Sequence, residues 1–152
     1  MVEEAVGLKA ATAGDAAAIA AVFLASRQQA MPYLPTLYTD AEVLRWIERL
    51  VLPRSHVLLA TLDGEQVVGF AAIQDSHLDH LYVPPSAQGS GVGARLLAAA
   101  KEASPHGLRL HVFQRNARAR LFYDRRDLRP VELRDGSRNE EHEPEAVYEW
   151  RP

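Results

Sequence analysis

Residues 77–97 read HLDHLYVPPSAQGSGVGARLL, and their order decides the fold. HLDHLYV (77–83) is rich in strand-forming residues and stops at Pro84-Pro85, where two missing N–H groups end regular pairing. The glycine-rich turn Gln88-Gly89-Ser90-Gly91-Val92-Gly93 then opens a helix expected over about 91–103, closed by Ser104-Pro105. Glycines let the backbone turn tightly and approach a ligand. A helix start adds unpaired N–H groups and the positive end of the dipole, so such a turn holds phosphate without a lysine. A plain strand-to-helix connection needs the same glycines, and these residues alone favour neither reading. A P-loop requires Gly-Lys-Ser/Thr at the helix start, and the chain has no such triplet. Gly89, Gly91 and Ala94 fit the dinucleotide pattern G-x-G-x-x-A, but LRLHVFQRN (108–116) lacks the acidic ribose ligand expected about twenty residues on.

Working outward, the chain upstream reads as hairpins. HVLLATL and QVVGFAAI are β-rich runs joined by Asp63-Gly64, a strong hairpin signal, and Asp75-Ser76 leads into 77–83. Before them lie a short strand at 8–12 and a helix over about 15–29, capped by Asp15, with Ile19, Val22 and Phe23 at helical spacing. Prolines 32 and 35 break the chain, and Thr39-Asp-Ala-Glu42 is a capping box. It starts a second helix whose stripe is Val43, Leu44, Trp46, Ile47 and Leu50, with a stop at Pro53. Downstream come the strand LRLHVF (108–113), a helix over 116–126 capped by Asn116, the strand PVELR, a polar loop, and the strand AVYEW. Hairpins followed by a β-α-β-α-β half predict one domain over 1–152 with a mixed α/β sheet.

Composition narrows the function. The 152 residues are 47% hydrophobic and 24% charged, enough for a core without staples. Zero cysteines exclude disulfides, cysteine nucleophiles, iron–sulfur clusters and thiolate zinc sites. A net charge of -3 argues against nucleic acid as partner, and no apolar run spans a membrane. The N-terminus has acids where a secretory signal carries bases, so a cytoplasmic location is expected. Of 17 basic residues only Lys9 and Lys101 are lysine, a composition that suggests a bacterial genome rich in G and C.

Two stretches in the right order resemble the GCN5-related N-acetyltransferase (GNAT) superfamily. LYVPPSAQGSGVGARLL resembles its pyrophosphate-binding motif Q/R-x-x-G-x-G/A, on Gln88, Gly91 and Gly93. HVFQRNARARLFYDRRDL resembles the following L-x-V-(x)n-N-x-x-A-x-x-F-Y motif, and DGEQVVGFAAI the preceding hairpin. The resemblance covers about residues 8–150. It departs at Asp127-Leu128, where the family has Gly-Phe, and Asp79 is only a loose match to its acidic base.

The resemblance implies a mostly antiparallel sheet of six or seven strands with about four helices, split between the fourth and fifth strands. It implies acetyl-CoA as cosubstrate and no metal. The pantetheine arm would pair with Leu81, Tyr82 and Val83, and the N–H groups of Gly89, Ser90, Gly91, Val92, Gly93 and Ala94 would hold the pyrophosphate. Asn116 would bond the arm, and Tyr123 would protonate the departing thiolate. An amide near Val83 would steady the oxyanion. His111 is the candidate base, five residues before Asn116, where some relatives acting on protein N-termini carry glutamate; water is the alternative.

The expected activity is transfer of an acetyl group to a primary amine of a small molecule or peptide by direct attack. The alternative is a non-catalytic acyl-CoA-binding regulatory domain. Tyr33, Glu140 and Glu141 are expected at the acceptor end, where carboxylates would favour a cationic amine. Dimerisation is common among proteins of this kind, but no sequence feature encodes it here. His77 and His80, three apart on a strand, are expected on opposite faces, which rejects a metal pair. Six arginines between 115 and 129 read as a solvated helix face, one of them within reach of a CoA phosphate.

Overall fold

The computed structural model describes residues 6–152; the acidic N-terminal residues Glu3 and Glu4 lie outside them. Seven strands form one mixed sheet: β1 (Val6–Ala10), β2 (His56–Leu62), β3 (Gln66–Gln74), β4 (His77–Tyr82), β5 (Leu108–Phe113), β6 (Arg129–Arg134) and β7 (Glu145–Trp150). Their spatial order is β1-β2-β3-β4-β5-β7-β6, so the last strand inserts between β5 and β6. Every neighbouring pair is antiparallel except β4 with β5. This is the mixed sheet expected from the hairpins, mostly antiparallel as the resemblance implied.

The hairpin turns form as their residues dictate. Asp63 and Gly64 take φ of 52° and 78°, and Asp75 and Ser76 take 49° and 64°. Both central residues in the left-handed region give the turn whose twist matches the flanking strands.

Helices cover both faces. α1 (Ala16–Ala30) lies on one side with α2, which runs from Asp40–Trp46 through a π-helical stretch, Ile47–Val51, to a last turn at Leu52–Arg54. Thr39 and Glu42 make the capping box, with Glu42 N–H donating to Thr39 Oγ1 at 3.1 Å and Thr39 N–H to Glu42 Oε1 at 3.0 Å. The π stretch adds a residue to one turn and rotates the stripe. Val51 is therefore buried and Leu50 is exposed, the reverse of the regular-helix expectation. The wider turn also carries the helix past Pro53 to Arg54. Ahead of α1, Asp15 does not cap the helix with its side chain. It accepts from Thr12 N–H at 2.8 Å and closes a 3₁₀ turn one step earlier.

The opposite face carries α3 (Val92–Ala103) and α4 (Ala117–Asp124). Val92, Leu96, Leu97 and Ala100 pack on Leu108, Leu110 and Tyr148 in one core. Ile19, Phe23, Val43 and Ile47 pack on Leu59, Phe70 and Ala72 in the other. Asp127, where the family has glycine, takes φ of 66°, and Leu128 N–H still reaches Tyr123 O at 3.2 Å. Aspartate tolerates this left-handed position, so the cap closes and Leu128 is buried.

Candidate active site

β4 and β5 run side by side for only two residue pairs, His77 with Arg109 and Leu78 with Leu110. Beyond these each strand keeps its other neighbour. Tyr82 stays paired with Phe70 on β3, while His111 and Phe113 pair with Val147 and Glu145 on β7. The facing edges separate into a cleft of about 210 Å³. A bulge in the β3–β4 ladder, between Ala72 and Ile73, starts the divergence.

The cleft passes through the sheet. Asn116 and Tyr123 reach it from the α4 side, and Arg27 and Met31 from the α1 side. Leu81, Tyr82 and His111 line its walls. Asn116 Oδ1 accepts from Ala119 N–H at 3.2 Å as the N-cap of α4, which leaves its Nδ2 for other partners. Tyr123 is buried, and burial, then the neighbouring Tyr82 phenol, pushes its hydroxyl well above the ordinary tyrosine value.

Beyond the end of β4 the glycine turn divides its labour. Gly89 and Gly91 take φ of 81° and 85°, and a Cβ built on either meets no atom within 4 Å. This is a cradle that any side chain would fill, with the first-turn N–H groups of α3 behind it. Ser90 bonds its hydroxyl to Ala87 O and fixes the turn. Gln88 Nε2 donates to Val83 O at 3.1 Å and Gln29 Oε1 at 3.2 Å, so it braces the turn against β4 and α1. Val92 is core, Ala94 lies in the first turn of α3, and Gly93 admits the Phe122 ring, 3.3 Å from where a Cβ would stand.

At the narrow end four ionisable groups gather. His111 Nδ1 lies 3.3 Å from Glu145 Oε1, and His77 Nδ1 lies 2.7 Å from Asp79 Oδ1. The two imidazole centroids are 5.0 Å apart. His80 lies against Trp46, Phe23 and Tyr82, with ring centroids 5.1 to 6.1 Å away. Asp79 is the bulged residue, so the strand's alternation slips there. His80 therefore shares the α1 face with His77, contrary to the alternation expected for a regular strand. Among the described residues no group of three or more His, Cys, Asp or Glu could hold a metal ion. The sequence reading missed Glu145 and the His77–Asp79 pair; the only available signal was acid and histidine on strands destined to meet.

The expected acceptor residues lie outside the cleft, in a clasp between two loops. Arg115 stacks 3.8 Å over the Tyr33 ring and bonds Glu143 at 2.9 and 2.5 Å. Glu141 accepts from Arg27 at 3.1 Å, and Glu140 from the Tyr38 hydroxyl at 2.6 Å. Glu141 is thus neutralised by a cation, whereas Glu140 keeps its charge beside a neutral phenol.

A sheet that parts beside a glycine-led helix start is the architecture that the sequence resemblance implied, and comparison with known proteins agrees. The Acetyltransferase (GNAT) family profile matches residues 23–128, and the chain belongs to that family. It is 34% identical over 80 residues to the peptidyl-lysine N-acetyltransferase YjaB of Salmonella typhimurium, a match over 51% of this chain. That match spans 54% of the relative, so the chain covers about half its length. The solution structure of apo-form YjaB from Escherichia coli has the same fold, with a TM-score of 0.81 at 20% identity, covering 96% of this chain and 97% of that one. YncA of Salmonella typhimurium, a putative acetyltransferase solved with acetyl-CoA, has a TM-score of 0.70 at 17% identity over 97% and 94% of the chains.

Burial in the aromatic cluster pushes His80 down to about 4, so it stays neutral while an unfolded chain protonates near 6.5. Between those values the unfolded state binds more protons, and stability falls as pH drops. The wild type should lose about 3 kcal/mol from this group between pH 7 and 4. His80→Phe, which suits the aromatic pocket, should flatten that part of the stability curve in chemical denaturation at stepped pH. An unchanged slope would mean that other groups set it.

Proposed function

We propose that the chain is an acetyl-CoA-dependent N-acetyltransferase acting on a primary amine, of the lysine ε-amine type in a peptide. The carrying observation is the cleft through the sheet, which brings Tyr123 and His111 together and has β4, the strand that leads into the glycine turn, as one wall. The name of the curated relative supports a peptidyl lysine as acceptor. No helix among the described residues is long and apolar enough to cross a membrane.

The residues divide the work by side of the sheet. The N–H groups of Gly89 to Ala94 hold the pyrophosphate, where open φ and the helix dipole favour anions. Leu81, Tyr82 and Val83 offer backbone groups that β5 leaves unpaired, and Asn116 Nδ2 adds a donor. Acetyl-CoA supplies an activated acetyl thioester there. From the α1 side, His111 takes the proton of the attacking amine. From the α4 side, Tyr123 points a protonated hydroxyl toward the leaving sulfur. His80, pushed down to about 4, is too weak a base for this task near neutral pH, which favours His111.

A raised phenol does not release its proton freely to a thiolate whose ordinary value is about 8.5. Tyr123 therefore acts by donating a hydrogen bond that strengthens as the C–S bond breaks. Because it stays protonated, it should add no limb to the pH–rate profile below about pH 10. Tyr123→Phe should lower kcat about 10²- to 10³-fold, as for a lost preorganised donor, and leave acetyl-CoA affinity nearly unchanged. Wild-type kcat in that variant, with chemistry limiting, would return the ring to a packing role. A wild-type protein that binds acetyl-CoA yet releases no CoA with any amine would be the non-catalytic domain instead.

Acetyl-CoA at about 100 times its Kd should raise the melting temperature by roughly 5–10 °C, as expected for about 2.7 kcal/mol in a domain of this size. Gly91→Glu places a side chain and a negative charge in the cradle and should abolish that shift. The variant's Cβ meets no atom, but φ of 85° strains any side chain there, so its melting temperature without ligand is the control for folding. A shift equal to wild type would remove this turn from the site.

At the acceptor end, Glu140 is the carboxylate whose charge is free to attract a cation. Glu140→Gln should raise KM for a cationic peptide a few-fold at low salt, and the difference should vanish as salt screens it. Glu141→Gln should instead act through Arg27, which it releases beside the cleft. An unchanged KM for Glu140→Gln at low salt would make the loop a purely structural clasp.

A further inference from the structure

The narrow end of the cleft holds more ionisable groups than one proton transfer uses, and they are arranged in pairs. Glu145 lies on β7 opposite Phe113, diagonal to His111 and on the same face of the sheet. Its backbone carbonyl accepts from Gln114 Nε2 at 2.9 Å, and the same amide reaches Arg134 O at 3.1 Å. The strand carrying Glu145 is thus braced from both neighbours, and its carboxylate is nearly buried at 8% residue exposure.

We propose that Glu145 is the positioning residue for proton transfer, acting through His111; this rests on His111 being the base. An ionised carboxylate only accepts hydrogen bonds, so the 3.3 Å contact puts the proton of neutral His111 on Nδ1. Nε2 then carries the lone pair and takes the amine proton. As the N–C bond forms, the C–S bond breaks and its electron pair leaves on sulfur, where the Tyr123 hydroxyl donates a hydrogen bond and the thiolate draws any proton it needs from water. The imidazolium formed on His111 lies beside a carboxylate in a partly desolvated place, where the attraction is stronger than in water.

Other charges face the ring and set the size of the effect. From β4, His77 lies 5.0 Å away with Asp79 bonded to its Nδ1, and neutral His80 lines the same cleft. From β6, Arg134 Nη1 stands 3.8 Å from Glu145 Oε1, and α1 contributes Arg27 to the cleft. Two imidazolium rings side by side repel, so a charged His77 opposes charging His111, and Asp79 offsets that opposition. The arrangement differs from a metal site, in which the four groups would converge on one point.

Histidine ring nitrogen chemical shifts in the ligand-free protein test the proposal without a variant. Neutral His111 should show the Nδ1–H tautomer; the Nε2–H tautomer would overturn the proposal. In Glu145→Gln, nearly isosteric but able to donate as well as accept, neutral His111 should lose its fixed Nδ1–H tautomer. With it kcat should fall about tenfold, and KM for acetyl-CoA should hold. Glu145→Asp should recover part of both. A tautomer unchanged in Glu145→Gln would overturn the proposal even if activity dropped. The base assignment fails separately: His111→Gln with wild-type kcat and an intact acid limb would remove His111 as base whatever the spectra show.

Discussion

The short parallel pairing of β4 with β5 is the constraint on which the rest of this structure depends. Two residue pairs join the halves of the sheet, and past Leu78 and Leu110 the strands have no ladder between them. Unpaired backbone is costly to bury, so the open edges require either water or a ligand that supplies hydrogen bonds. An extended amide-bearing chain fits such an edge as an added strand would. Each neighbouring feature keeps the strands apart: the Asp79 bulge turns β4, the prolines at 84 and 85 end it, and β7 holds β5 along its full length.

Because the gap penetrates the sheet, its two sides have different chemistry. The α4 side is dry: Tyr123 sits among Leu110, Val112 and Tyr148, and burial keeps its proton on. The α1 side is wetter and charged, with His77, Asp79 and His111 each about a third exposed. A hydrogen-bond donor for a leaving group gains from the first environment, since a dipole aimed at developing charge is worth more there. A base that must discard its proton after every turnover gains from the second. With the roles proposed above, the sheet separates the hydrogen-bond donor from the base without a domain boundary.

Much of this was legible in the sequence, and the reasons for the exceptions are local. The hairpins at Asp63-Gly64 and Asp75-Ser76, the Thr39 box and the Asn116 cap are encoded within four residues, and each forms as read. Tyr123, His111, Leu81 and Asn116 meet in one cleft because motif spacing carries topology with it. What failed was periodicity across an inserted residue. The π turn exchanged Leu50 for Val51, and the β4 bulge moved His80 onto the face of His77. Each irregularity adds one residue to a repeat, and no side-chain pattern announced either. Glu145 was invisible for a different cause: its partner lies 34 residues away on a strand whose insertion beside β5 only the sheet order reveals.

The loop before β7 shows how the same acids serve a structural end. Asn139 bonds Glu143 through both backbone groups, N–H to Oδ1 at 3.1 Å and Nδ2 to O at 2.8 Å, closing the loop on itself. Gly136 approaches so closely that a Cβ would stand 2.6 Å from the Glu143 backbone. Thus fixed, the loop sends Glu143 to Arg115, Glu141 to Arg27 and Glu140 to Tyr38. Arg115 immediately precedes the cap of α4, and Arg27 lies on α1 at the cleft, so the clasp ties together the two sides that the gap separates. Exposed ion pairs contribute little singly, but three contacts from one rigid loop share a single ordering cost. A sheet weakened at its middle strand pair is in this way bridged over its surface.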